Sequence, residues 1–143
     1  MLTESWFLWA VGAAAFAALM TIFAKIGLDG IDSDVAQLIR TAVVLPLIAA
    51  LVAATGKWKE IPDWSGRVWI FLILSGIATG ASWICYFRAL SAGDASRVAA
   101  LDKLSVVIVA IIAATLLHER LSPAGWCGIA LVTAGLVTLS LAK

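Results

Sequence analysis

The sequence predicts an all-α integral membrane protein with five transmembrane helices, and three observations predict it. First, 63% of its 143 residues are hydrophobic and 13% charged, with a mean hydropathy of +1.05, whereas soluble domains sit near about 45–50% apolar and about 25% charged. Second, a helix needs about 20 mostly apolar residues to cross a hydrocarbon core of about 30 Å, and five stretches qualify, at about 5–25, 35–55, 67–89, 96–117 and 122–142. Third, these stretches leave only short connections and two stubs, so the chain reads as a single transmembrane domain, 1–143. A water-soluble globular enzyme is excluded, because a core of this size cannot hide so much apolar surface. With 3 Pro, 11 Gly and 2 Cys, disorder, collagen and disulfide scaffolds are excluded too. Ten Lys+Arg against nine Asp+Glu give a net charge of +1, which offers no electrostatic footprint for nucleic acid.

Each span has its own local signals. Span one is free of charge from Ser5 to Ala24. Its leading residues carry no Lys or Arg and its apolar run is too long for a signal-peptide h-region, so it reads as a retained helix. Gly30 reads as a helix stop and Ser33-Asp34 as the N-cap of span two. Span two is apolar except for Gln37 and Arg40, and its Pro46 predicts a kink that membrane helices tolerate. Span three is uncharged from Val68 to Phe87. Gly93-Asp94 repeats the stop-and-cap signal ahead of span four, whose interruption is Asp102-Lys103. Ser122-Pro123, an N-cap followed by Pro at the first helical position, opens span five.

Trp6, Trp9, Trp58, Trp64, Trp69 and Trp126 fall at the membrane face that holds the N-terminus, an aromatic belt, and Trp83 lies near the other. Cys85 and Cys127 sit inside spans as small hydrophobes, with neither a disulfide nor a metal site expected. The three Asp of the 29–34 connection lack calcium-loop spacing and read as a solvated turn. His118-Glu119, at a span end, reads as interfacial. The chain has no Walker loop, GxSxG or Cys–His pair, so no enzyme activity and no cofactor are expected.

The flanking charges balance. Lys57, Lys59, Arg67 and Arg120 lie on the N-terminal side, and Lys25, Arg88, Arg97 and Lys143 on the other. Four against four gives the positive-inside rule no preference, although Arg40, a turn inside span two, tips it slightly. The chain can then insert both ways round and pair as an antiparallel dimer. The alternative is one orientation set by a dominant charge.

Ionisable groups inside a bilayer are costly enough to suggest function. Lys25 and Arg88 lie at span ends, where long side chains snorkel to the interface. Arg40, Asp102 and Lys103 share a similar depth, and an Arg40–Asp102 pair would neutralise both, either as structure or with substrate. Lys103 would then lack a partner, which predicts a water-filled cavity near it. On span three, Ser75, Thr79, Ser82 and Tyr86 fall at i, i+4, i+7 and i+11, one narrow stripe at 100° per residue with Trp83 beside it. Such a stripe lines a cavity or bonds to other helices. Gly76/Gly80, Ala110/Ala114 and Ala130/Ala134 are small-xxx-small pairs suited to helix packing.

The run Tyr86-Phe87-Arg88-Ala89-Leu90-Ser91-Ala92-Gly93-Asp94-Ala95-Ser96 joins spans three and four. Span four ends in Leu117-His118-Glu119-Arg120-Leu121-Ser122, and a Trp- and Gly-containing last helix follows. This pattern resembles the EamA family of the drug/metabolite transporter superfamily, as a single five-helix repeat covering the whole chain. Typical members carry two such repeats of opposite orientation. The resemblance implies an alternating-access transporter of small metabolites or drugs, usually an exporter, in the cytoplasmic (inner) membrane of a bacterium or archaeon. A one-repeat chain would rebuild that architecture as an antiparallel homodimer. In relatives, helices one, three and four of each repeat line the cavity. The implied substrate-binding residues are therefore Ser75, Thr79, Ser82, Trp83, Tyr86, Asp102 and Lys103, with Arg40 and Asp102 as a structural ion pair. His118 stands where the junction often has Gly, and Val106 stands where many members have Pro, so a weaker local break is expected in span four. Two other functions compete: a lipid-linked sugar or headgroup flippase, and a non-transporting membrane subunit that needs a partner chain.

Overall fold

The computed structural model describes residues 5–59 and 64–141, and all their longer regular elements are α-helices. These are α1 (Ser5–Gly27), α2 (Ser33–Ala54), α3 (Gly66–Ala92), α4 (Ala95–Asp102), α5 (Ser105–Leu116) and α6 (Pro123–Leu141). Counting Ala95–Leu116 as one crossing, five are long and apolar enough to span a bilayer, as expected. The expected end of span five at residue 142 and the Lys143 charge lie outside the described residues. At most 22% of any span is buried within the chain, and side chains such as Phe16 and Leu131 are 74% and 75% exposed. Helices that are apolar all round and so little covered need lipid or another chain as their solvent.

Local chemistry accounts for the helix ends. Gly30 takes φ 70°, the left-handed conformation that glycine adopts without a Cβ penalty, and it turns the chain after α1. The cap of α2 is Asp32, one residue before the expected Ser33-Asp34. Its carboxylate accepts from the N–H groups of Asp34 and Val35 at 2.9 and 3.1 Å, satisfying two donors that a helix start leaves open. The 29–34 connection is thus a built cap rather than a merely solvated turn. α2 runs through Pro46 as one helix. At α6 the Ser122 hydroxyl accepts from the Gly125 N–H at 3.1 Å, with Pro123 as the first helical residue, as expected. Asp94 has the extended backbone of a cap, but its carboxylate meets Arg97 at 3.9 Å instead of a backbone N–H.

Span four departs from the expectation of a weakened break. The α-helix stops at Asp102 and resumes at Ser105. Across the junction the N–H groups of Lys103, Leu104, Val106 and Val107 each bond three residues back, at 3.0 Å, a local 3₁₀ tightening. Neither Pro nor Gly is needed to produce it.

The helices gather into two compact units. One takes in Met1–Ile22 and Ala92–Lys143. There α4 and α5 pack on α6, and Val98, Ala100, Ala110 and Ala113 are buried. The other is Phe23–Ser91, with Leu28, Phe87 and Leu90 buried. Within it Lys25 Nζ donates to the Leu90 carbonyl at 2.8 Å, tying the end of α1 to the last turns of α3.

Candidate functional site

The Phe23–Ser91 unit contains a groove of about 660 Å³ along α2 and α3. α2 contributes Asp34, Gln37, Leu38 and Thr41, one face at i, i+3, i+4 and i+7. α3 contributes Leu72, Ser75, Gly76, Thr79, Gly80, Trp83 and Ile84. The wall is mostly apolar with a few placed polar groups, the composition of a small-molecule site.

Its hydroxyl groups are oriented from within. Thr79 Oγ1 donates to the Ser75 carbonyl at 2.8 Å, and Thr41 Oγ1 donates to the Gln37 carbonyl at 2.9 Å. Gln37 is only 7% exposed. Its Nε2 donates to Thr41 Oγ1 at 3.2 Å, and its Oε1 accepts from Arg40 Nη1 at 3.2 Å. That bond turns the Arg40 guanidinium over the Trp83 ring, 4.2 Å from its centroid, and within 5.4 Å of the Phe87 centroid. A cation over an indole face is attracted by the ring quadrupole, more strongly where water is scarce. At one end of the groove Arg88 grips Asp34 with two hydrogen bonds, Nε to Oδ1 at 3.0 Å and Nη2 to Oδ2 at 2.7 Å. Lys25 and Arg88, expected to snorkel, thus hold specific partners.

The sequence-predicted residues divide. Ser75, Thr79 and Trp83 line the groove together, while Ser82 and Tyr86 lie on α3 outside its lining. Tyr86 packs on Phe87 with centroids 6.4 Å apart. Asp102 and Lys103 belong to the other unit, at the break in span four, where Lys103 Nζ lies 3.2 Å from Asp102 Oδ2. Lys103 therefore has a partner, contrary to the expectation that it would lack one. Of the small-residue pairs, Gly76 and Gly80 line the groove, and a Cβ added at either would meet nothing within 4 Å. Ala110 is buried and Ala114 half-buried, whereas Ala130 and Ala134 are exposed.

The α2 wall is hidden in the sequence, where Gln37 reads only as a polar defect in span two and Asp34 as part of a cap. The same period test that found the α3 stripe would have joined Asp34, Gln37 and Thr41.

Five helices long and apolar enough to cross a bilayer define the class of a multi-pass membrane protein. The sequence model of the EamA-like transporter family matches residues 4–141, and the chain belongs to that family. It is 55% identical over 139 residues to a curated Sinorhizobium protein described as an uncharacterized transporter in the cobO 3' region, covering 97% of this chain and 99% of the relative. No solved structure matches. The protein is thus a membrane transporter, a class whose work is translocation rather than bond chemistry.

Proposed function

We propose that the protein exports small solutes by alternating access, as an antiparallel homodimer in the cytoplasmic membrane. The observation that carries this reading is the α2–α3 groove: hydroxyl and amide groups gathered on facing positions of two spans that are otherwise apolar. Polar groups at that depth are costly unless satisfied, and a groove that spends them on its wall is suited to a ligand that leaves water. Asp102 and Lys103, at a helix break inside span four, are proposed as substrate contacts on their own account, since interrupted membrane helices recur at transporter binding sites. The pairing supplies the second, inverted repeat, and the balanced flanking charges favour it. Rocking of one protomer against the other would alternate access.

The test is solute flux from proteoliposomes holding the purified chain alone, with wild type beside Thr79→Leu and the double variant Asp102→Asn/Lys103→Met. Flux that falls with both variants is expected. Flux unchanged by Asp102→Asn/Lys103→Met removes those two residues from the path, and no flux from the purified chain for any metabolite pool overturns the homodimer.

A further inference from the structure

We infer that the α2–α3 groove takes a planar, uncharged ligand bearing N–H or O–H donors, and discriminates against anions and cations of the same skeleton. This rests on the groove being the solute site proposed above, and it follows from where the protons of the lining go. The Thr79 and Thr41 hydroxyl protons are committed to the Ser75 and Gln37 carbonyls. What Thr79 turns to the groove is oxygen lone pairs, and Thr41, whose oxygen also accepts from Gln37 Nε2, keeps at most one; neither hydroxyl has a proton to donate. Gln37 is too buried to present its amide, and it is occupied by Thr41 and Arg40. Ser75, exposed, is the one lining hydroxyl whose rotor is left to serve either role among the described residues.

Charge is excluded from two directions. An anion meets acceptor oxygens, and the Arg40 guanidinium lies over the Trp83 ring rather than among the residues that line the groove. A cation meets a wall whose face at Trp83 already carries the Arg40 charge, and the one carboxylate, Asp34, is held by both donors of Arg88. Transfer of an unpaired charge from water to such a site is far more costly than transfer of a neutral amphipath. Shape points to a flat molecule. With no atom within 4 Å of where a Cβ would lie, Gly76 and Gly80 leave an open strip in a lining that also holds Trp83.

The experiment is equilibrium dialysis of four probes of one skeleton against the full chain in nanodiscs, with empty nanodiscs subtracted. The probes are indole (neutral, one donor), 1-methylindole (neutral, no donor), indole-3-acetate (anion) and tryptamine (cation). Indole is expected to bind at least about 3-fold more tightly than 1-methylindole, the worth of one neutral hydrogen bond. The two ions are expected to bind at least about 10-fold more weakly than indole. Thr41→Val/Ser75→Ala/Thr79→Val, which deletes the three lining hydroxyls, should abolish the preference for indole over 1-methylindole, and Gly80→Leu, which fills the strip, should remove binding of all four. Indole-3-acetate or tryptamine binding as tightly as indole, or 1-methylindole equal to indole, overturns the ligand class while Gly80→Leu still marks the groove as a site. Binding of no probe, or binding indifferent to Gly80→Leu, overturns the groove itself as the solute site.

Discussion

At position 118 the chain holds a histidine at φ 54°, the left-handed region, just after α5. The Ala113 carbonyl accepts from the N–H groups of both Leu117 and Glu119, at 3.2 and 3.0 Å, and this closure needs the reversed backbone between them. An L-residue there costs about 1–2 kcal/mol that glycine does not. His118→Gly is therefore expected to stabilise the protein by roughly 1 kcal/mol, less whatever unfolded-state entropy glycine adds. His118→Val should destabilise it, since a β-branched side chain fits that region worst. Thermal unfolding in detergent, followed by circular dichroism, reads both. His118 is thus a site of local strain. Gln37 gives a second prediction at this scale. Replacing it by Leu takes the acceptor at 3.2 Å from Arg40 Nη1 in a half-buried setting, which should cost about 1–3 kcal/mol and loosen the stack on Trp83.

Between elements, the end of the groove is held by one ion pair, Asp34 of α2 to Arg88 of α3. Both side chains are at least half exposed, and exposed pairs contribute little to stability. Arg88→Gln should accordingly move the thermal midpoint less than His118→Gly does. Its effect should be on access: a Thr79→Cys thiol, in a background lacking Cys85 and Cys127, should react faster with an impermeant thiol reagent once Arg88 is replaced. The reversal Asp34→Arg/Arg88→Asp should slow it again. The spans themselves were legible because a bilayer demands long apolar runs and nothing else in a short chain supplies them. Gly30 and Ser122-Pro123 marked their boundaries by known backbone chemistry. The break at Lys103-Leu104 was legible only as the charged pair Asp102-Lys103 that interrupts span four; no Pro or Gly announces it, and the tightening of its hydrogen bonds cannot be read from composition. Half of the groove was legible, because Ser75 and Thr79 repeat with a helical period. Its other wall was hidden, because Gln37 and Asp34 had ready explanations as isolated polar residues. Gly76 and Gly80 were visible only as a packing motif, one residue or 100° on from Ser75 and Thr79, and sequence alone does not say whether such a face is filled or open.

For the molecule as a whole, the proposed pairing of opposite copies is decided first by topology. Paired reporters fused after Lys143, one active only in the cytoplasm and one only outside it, should give comparable signals. A signal from one alone means a fixed orientation, and the inverted repeat must then come from another chain. The apolar circumference of the spans, at most 22% buried in any of them, leaves ample surface for lipid and for a second copy alike. Gly76 and Gly80 carry a last consequence, for how such a transporter can change over generations. Because no neighbour contacts the space above either one, larger residues there can be accommodated without repacking a core, so the usual exchange between foldedness and novelty is relaxed at these two positions. In a saturation scan that scores abundance and growth on a toxic solute separately, both should tolerate Ala, Ser, Val and Leu for abundance while splitting sharply by volume for resistance. Core positions such as Leu90 should lose both scores together.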